Sequence, residues 1–368
     1  MSISDLPKSR VQTRFTVSKI GRVQRRPMKP VRRRAYPFGM NAAELVRRKF
    51  LHLAVGSAAL PGVSRIARAQ AYPTRPITMI VPIAAGSSSD VVGRVVAEQM
   101  GKSLGQPIII ENVGGADGSI GTGKAARAKA DGYTIELGFN SSHALNGAFY
   151  SLPYDVFNDF DPISPLVTGS VVLYARKTMP ANDLNALIGW LKANPNTASV
   201  GIIAVGYRLL TALFQKETGA QFTLVPYRGA APEMQDLIAG RIDLAFDTAV
   251  PVTQMRAGSI KAYAVTRNRR LALAPNIPTF AEMGLPALSY STWLGLFAPK
   301  GTPRQIIDKL NAATVEALAD PVPRSRLADL GYEVYPRSRQ TPESLGALQK
   351  ADAVKWWPII KALGIKAE

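Results

Sequence analysis

The sequence contains no cysteine, and that absence alone excludes disulfides, thiolate metal sites and cysteine nucleophiles. Histidine is nearly as scarce: His52 and His143 are the only two in 368 residues. No serine elbow of the GxSxG kind occurs, and neither a phosphate-loop lysine pattern nor GxGxxG is present. Asp90, Asp155, Asp159, Asp161 and Asp247 lack the spacing of a metal-binding loop. Acidic residues are scarce at one end of the chain. Of 45 Lys/Arg and 26 Asp/Glu, 16 and 2 fall before Tyr72, which leaves 29 against 24 in the remainder. The net charge of +19 therefore belongs mainly to a leader, and no basic face calls for nucleic acid.

That leader reads as an export signal. Arg47-Arg48-Lys49-Phe50-Leu51 is a twin-arginine pattern, and the apolar segment Leu51–Val63 is too short to span a bilayer. Ala67-Arg68-Ala69 and Ala69-Gln70-Ala71 then offer two A-x-A cleavage sites. The mature chain is expected to begin at Gln70 or Tyr72 and to act in the periplasm. Met40 stands at the right distance upstream to be the initiator. Residues 40–71 would then be the signal peptide, and residues 1–39 either an extension of the gene or an unstructured basic lead.

The rest is organised around Pro76–Leu104. Ile77–Val81 is the short, β-branched run of a buried strand. Small residues follow through Asp90. Val91, Val92, Val95, Val96 and Met100 then recur on one helical face, opposite Arg94 and Glu98. Ser87 and Asp90 have capping-box spacing, which predicts helix entry at Ser87–Ser89. A strand end, a small-residue loop and a helix N-terminus together present unpaired N–H groups, a place that favours anions.

The alternation continues to the end of the chain. The pattern predicts further strands at Ile108–Asn112, Tyr133–Gly138, Val171–Tyr174, Ser199–Ala204, Phe222–Tyr227, Ile242–Phe246, Ile260–Thr266 and Ser289–Pro299. Helices are predicted at Thr122–Lys129, Asp183–Ala193, Leu209–Thr218, Glu233–Ala239, Thr302–Asp320 and Thr341–Leu363. The glycine-rich loop Val113–Gly123 reads as shaping a strand end rather than cradling a nucleotide, and Asp155–Asp161 reads as a turn. Strands separated by such helices imply βαβ units and a largely parallel sheet. The pattern restarts near Val171 and ends near Ser289. That divides the body into residues 72–172 plus 290–368 as a first domain and 173–289 as a second, with a hinge near 170–175 and 287–292. A ligand is expected between them, at the strand ends. An exported enzyme would have only His143 with Asp247 or Asp90 to work with, so a non-enzymatic role is expected.

Several stretches occur in family order across residues 72–368: IVPIAAGSSSDVVGR, IIENVGGADGSIGT, SHALNGAFYSLPYDVFNDFDPI, LVPYRGAAPEMQDLIAGRIDLAFD, PNIPTFAEMGLP and FAPKGTP. With them the chain resembles the solute-binding receptors of tripartite tricarboxylate transporters, the Bug-type family. The resemblance implies a two-domain Venus-flytrap fold, each domain a largely parallel sheet flanked by helices. It implies a monomer that binds a small carboxylate without cofactor or metal and delivers it to membrane permease subunits. A ligand-sensing partner of a signalling system would share the same features. Carried over residue by residue, the first-domain clamp is Ala85, Gly86, Ser87, Ser88, Ser89 and Asp90, with Asn140, Ser141 and Ser142 beside it. The second-domain clamp is Gly206, Tyr207, Tyr227, Arg228, Gly229 and Ala230, with Asp247 at the next strand end. Two departures stand out: Gly86-Ser87 replaces a common Gly-Gly pair, and Gly206-Tyr207 replaces Gly-Ser. A tyrosine at that point fills space, so the pocket is either smaller or stacks an aromatic ring.

Overall fold

The computed structural model describes residues 72–248 and 251–365. The twin-arginine segment and both cleavage sites fall on residues 1–71, outside the described residues.

The described chain begins with β1 (Ile77–Val81), α1 (Ser88–Leu104), β2 (Ile108–Asn112), α2 (Ser119–Ala126), β3 (Thr134–Phe139) and β4 (Phe160–Ser170). It passes into β5 (Val172–Arg176), α3 (Leu184–Ala193), β6 (Ser199–Ile202), α4 (Val205–Thr218), β7 (Thr223–Pro226), α5 (Ala230–Ala239), β8 (Leu244–Asp247) and β9 (Ile260–Val265). It returns through β10 (Ser291–Pro299), α6 (Arg304–Ala319), α7 (Pro321–Asp329), β11 (Tyr332–Val334) and α8 (Pro342–Ala362). Two sheets result, one ordered β11-β4-β10-β3-β1-β2 and the other β7-β6-β8-β5-β9.

Both sheets are mixed, which corrects the expectation of largely parallel ones. β1 runs parallel to β2 and β3, and β6 parallel to β7 and β8, as βαβ units require. β4 and β10 are antiparallel neighbours, and β5 is antiparallel to both β8 and β9. The reason is the double passage between sheets. β4 leads directly into β5, and the chain returns from β9 to β10, so these strands enter each sheet without a helical crossover.

The prolines of β4 hid it from the sequence pattern. Pro162 and Pro165 lack the N–H that a paired strand donates. The β10 ladder shifts register between Leu294 and Gly295 and between Leu296 and Phe297, opposite those two prolines. The irregularities thus absorb the missing donors.

The core follows the predicted helical stripe. Val92, Val96 and Met100 of α1 are buried with Met79, Ile135, Leu296 and, from α6, Leu310. Burying each such side chain contributes about 1.5–3 kcal/mol. The first turn of α2 lies tight against the ends of β1 and β2: a Cβ on Gly121 would sit 2.5 Å from the Val113 carbonyl and 2.7 Å from Pro82. The two passages between the sheets are stitched to one another. Val171 N–H donates to Thr266 Oγ1 (3.1 Å), Thr266 N–H donates to the Val171 carbonyl (2.9 Å), and Thr266 Oγ1 donates to the Tyr290 carbonyl (2.6 Å).

Candidate functional site

The first wall of the site is built by the turn between β1 and α1. Ser87 caps α1, its Oγ accepting from Asp90 N–H at 3.2 Å. Asp90 completes the turn differently from an ordinary capping box. Its Oδ2 accepts from Gly86 N–H and Arg94 Nε, both at 2.9 Å, and its Oδ1 from Asn112 Nδ2 at 2.8 Å. Burial alone would raise the Asp90 pKa, but these three donors hold the carboxyl below its usual range. The turn is therefore braced from behind, and Ser87, Ser88 and Ser89 face the cleft. Asn140 and Ser141, at the end of β3, join them.

The second wall comes from the ends of β6, β7 and β8. α4 starts at Val205 after Ala204, and α5 starts at Ala230 after Gly229; neither has a side-chain cap. The first N–H groups of such helices have no intrahelical partner. Gly206 permits the closest approach in the cleft. A Cβ there would meet Tyr290 Oη at 2.4 Å and Ser141 Oγ at 3.3 Å. Tyr290 is itself pinned, accepting from Asn140 Nδ2 at 2.6 Å. Arg228 lines the outer edge and is exposed, whereas Asp247 is 2% exposed.

The cavity between these walls is narrow, about 80 Å³. Of the residues expected to bind ligand, Ser87, Ser88, Ser89, Asn140, Ser141, Gly206, Tyr207, Arg228, Gly229, Ala230 and Asp247 are brought together on its walls. Ala85 and Gly86 lie outside at the exposed tip of the turn, and Asp90 lies behind it. Tyr227 faces the other way, its hydroxyl donating to Asp236 of α5 at 2.8 Å. Ser142 is turned into the core, where its Oγ donates to the Phe139 carbonyl at 3.1 Å.

Sequence reasoning missed most of the aromatic lining: Phe139, Tyr290, Trp293 and Tyr332. Phe139 directly follows a predicted strand, and Tyr290 and Trp293 lie inside another, without any motif. Tyr332 stands in a three-residue strand and meets Ser88 across 244 positions, Oη to Oγ at 3.3 Å, so no local signal could have paired them.

Next to Ser142 lies an arrangement with the outline of a hydrolase triad. His143 Nδ1 is 3.0 Å from Ser142 Oγ, and its Nε2 is 3.5 Å from Glu136 Oε2. Thr122 Oγ1 donates to Glu136 Oε1 at 2.7 Å. All three members are at most 1% exposed, and His143 stacks on Phe297 with ring centres 3.9 Å apart. Burial pushes Glu136 up to about 8 and His143 down to about 3, so both are neutral at pH 7 rather than an ion pair. A serine with no exposed surface cannot meet a substrate; this cluster is core structure. Among the described residues there is also no group of three His, Asp or Glu that could hold a metal ion, and no helix is long and apolar enough to cross a membrane.

Comparison with known proteins bears on this geometry. The family model of the tripartite tricarboxylate transporter family receptor, TctC, matches residues 92–365. A UPF0065 protein from the TAR-I ttuE-ttuC' intergenic region of Agrobacterium vitis is 38% identical, over 86% of this chain and 92% of its own. The solved structure of the periplasmic binding protein BugD is 35% identical, with a TM-score of 0.76 over 81% of this chain and 100% of that one. MatC from Rhodopseudomonas palustris, solved with bound malate, is 34% identical, with a TM-score of 0.75 over 78% of this chain and 100% of that one.

Proposed function

Because the chain belongs to the Bug-type family of tripartite tricarboxylate transporter receptors, we propose that it captures a small carboxylate between its two sheets and delivers it to a membrane permease. The family is one of periplasmic solute-binding receptors, and the fold is that of periplasmic binding proteins. One observation carries the ligand class: the N-termini of α1, α4 and α5, from two different sheets, open into one cleft. Helix N-termini favour anions through their free N–H groups and the helix dipole.

The ligand-binding set is then Ser87–Ser89, Asn140, Ser141, Gly206, Tyr207, Gly229 and Ala230, with Arg228 at the rim. Ala85, Gly86 and Asp90 act by shaping the turn. Each charge-assisted hydrogen bond contributes about 1.5–3 kcal/mol net. Micromolar affinity needs about 8 kcal/mol, so four or five such bonds suffice after the entropy of association is subtracted. No turnover is expected, since the serine–histidine–glutamate cluster found among the described residues is sealed in the core. The stitched passages at Val171, Thr266 and Tyr290 act as the hinge between residues 72–172 plus 290–368 and residues 173–289. Export proceeds by the twin-arginine route to the periplasm.

A thermal-shift screen of mono- and dicarboxylates against neutral sugars and amines tests the reading. Saturation at a hundred times Kd should add about 2.7 kcal/mol. That corresponds to a shift of several degrees, at about 2–4 °C per kcal/mol. If sugars or amines shift the transition and every carboxylate is silent, the reading falls.

A further inference from the structure

The glycine-rich loop between β2 and α2 is held in a conformation that its residues do not favour. Ala116 and Asp117 have φ of 46° and 50°, and among the described residues only Asn196 is another non-glycine residue with positive φ. Such a backbone persists where surrounding contacts fix it, commonly at functional positions. Those contacts are present. Gly118 packs on the end of β1, where a Cβ would sit 3.0 Å from the Pro82 carbonyl oxygen and 3.2 Å from Phe139 Cζ. Asn146 Nδ2 donates to the Asp117 carbonyl at 3.0 Å and to Ser119 Oγ at 2.9 Å. The Tyr150 hydroxyl donates to Asp117 Oδ2. Backbone and carboxyl of Asp117 are thus both fixed by residues of the first domain.

The charge that this carboxyl meets comes from the second domain. Burial holds Asp117 above the usual carboxylate range, and the Tyr150 hydroxyl and the Arg208 charge pull it back. The same Arg208 charge acts on Tyr150, which packs against the core cluster containing Leu209 and Leu210 of α4. Arg208 has use for an acidic partner. It stands in the first turn of α4, where the helix dipole disfavours a cation, and that turn has neither an acidic residue nor a side-chain cap. Arg208 does not line the cleft, but its neighbours Gly206 and Tyr207 do.

We propose that Asp117 and Arg208 are positioning residues for the ligand: paired across the two domains, they hold the first turn of α4, and with it Gly206 and Tyr207, in place over the cleft. This rests on the carboxylate-receptor reading and adds to it two residues that do not themselves touch the ligand.

Asp117→Asn is the discriminating variant. Asparagine tolerates positive φ, and its side-chain oxygen still accepts from Tyr150, so only the charge is lost. A mere negative charge near an anion site would, on removal, strengthen carboxylate binding. A mere contribution to folding would leave binding untouched well below the unfolding midpoint. Isothermal titration of the purified mature protein with benzoate, malate and adipate, at such a temperature, should instead show about tenfold weaker binding of whichever acid the parent takes. Arg208→Gln should weaken it by a similar factor, and the double variant by no more than either single one, as a coupled pair requires. Hydrogen exchange reads the same effect without ligand. The Tyr207 and Arg208 amides, which donate to the Ala204 carbonyl at 3.0 and 3.1 Å, should exchange about tenfold faster in Asp117→Asn, while those of β1 match the parent. Unchanged or tighter binding by Asp117→Asn, additive losses in the double variant, or unchanged exchange in α4 would each overturn this inference and leave the carboxylate receptor standing. If the parent binds none of the three acids, the receptor reading falls, and the exchange rates alone decide whether the pair holds α4.

Discussion

Two helices of the cleft each carry a buried carboxylic residue in the first turn, and the two are treated in opposite ways. Asp90 of α1 has three donors and stays charged. Glu233 of α5 has no hydrogen-bond partner on either oxygen and is pushed up to about 9, so it holds its proton. The difference follows from the turns that precede them. The first wall uses its acid to fix the Gly86 amide and a neighbouring strand, and caps its helix with Ser87. The second wall has glycine where a cap would stand and leaves its amides unclaimed. One side of the cleft is thus braced by its own side chains, and the α5 side has no side-chain cap on its first amides.

The largest effect should come from removing the brace. Asp90→Ala strands the Gly86 amide and the Asn112 side chain and leaves Arg94 without its partner. A loss of about 2–4 kcal/mol is expected, below the full value for a buried pair because the Arg94 side chain is half exposed. Urea unfolding reads the stability and titration reads the affinity, which should collapse with the turn. A variant as stable as the parent would mean that the three bonds brace nothing.

Gly206→Ala comes next. Its methyl would lie 2.4 Å from Tyr290 Oη, and Tyr290 cannot retreat easily because Asn140 holds it. The two walls should be held apart, with carboxylate affinity down by about ten- to a hundredfold, or roughly 1.4–2.7 kcal/mol. The unfolding midpoint should move little, since alanine favours the helix that starts there. Unchanged affinity would show that closure does not bring α4 against Tyr290.

The opposed protonation states predict opposed pH responses. For Glu233 the folded pKa, about 9, lies above an ordinary 4.5. Between those values the unfolded chain binds fewer protons than the folded one, so this residue lowers stability as pH rises through the window. Glu233→Gln removes that penalty. The variant should gain about 1–2 kcal/mol relative to the parent between pH 5 and pH 9, a discounted use of about 1.4 kcal/mol per pKa unit. Asp90 works in the other direction, its contribution being present above the ordinary carboxylate range and lost as pH falls through its lowered pKa. Melting curves of Glu233→Gln and parent that stay parallel from pH 5 to 9 would contradict the buried, protonated state.

How much of this contrast could be read from sequence follows the range of the interactions. The brace was half visible: Ser87 and Asp90 are three apart, so the cap could be predicted, and the chain alternation gave the βα order. The partner of Asp90 on β2, Asn112, is 22 residues away and carried no local mark. β4 was lost because its prolines contradict strand propensity, and only the ladder with β10 shows how they are absorbed. The aromatic lining was invisible for the same reason. Phe139, Tyr290, Trp293 and Tyr332 come from three strand ends and a crossing segment, and only the return of β10 between β3 and β4 gathers them. Helix starts are written in neighbouring residues, whereas a cavity wall is written in topology.

The smallest effect should come from giving the second wall what the first already has. Gly229 precedes α5 with φ 164° and ψ 168°, extended backbone that any residue adopts, and a Cβ there meets nothing within 4 Å. Gly229→Ser therefore adds a hydroxyl at the N-cap without a clash. The N3 residue, Pro232, has no N–H, so the serine can reach only the Ala231 amide at N2. The gain in stability should be only a few tenths of a kcal/mol, because glycine is itself a fair N-cap. The same bond takes an amide that the bound carboxylate would otherwise use. Stability and affinity should thus move in opposite directions: a melting point up by about a degree or less in the free protein, and binding weakened by about three- to tenfold. Asp at this position should exaggerate both, since its charge also repels the ligand. If Gly229→Ser raises stability while binding is untouched, the α5 amides are not part of the grip, and the ligand is held by the first wall and α4 alone.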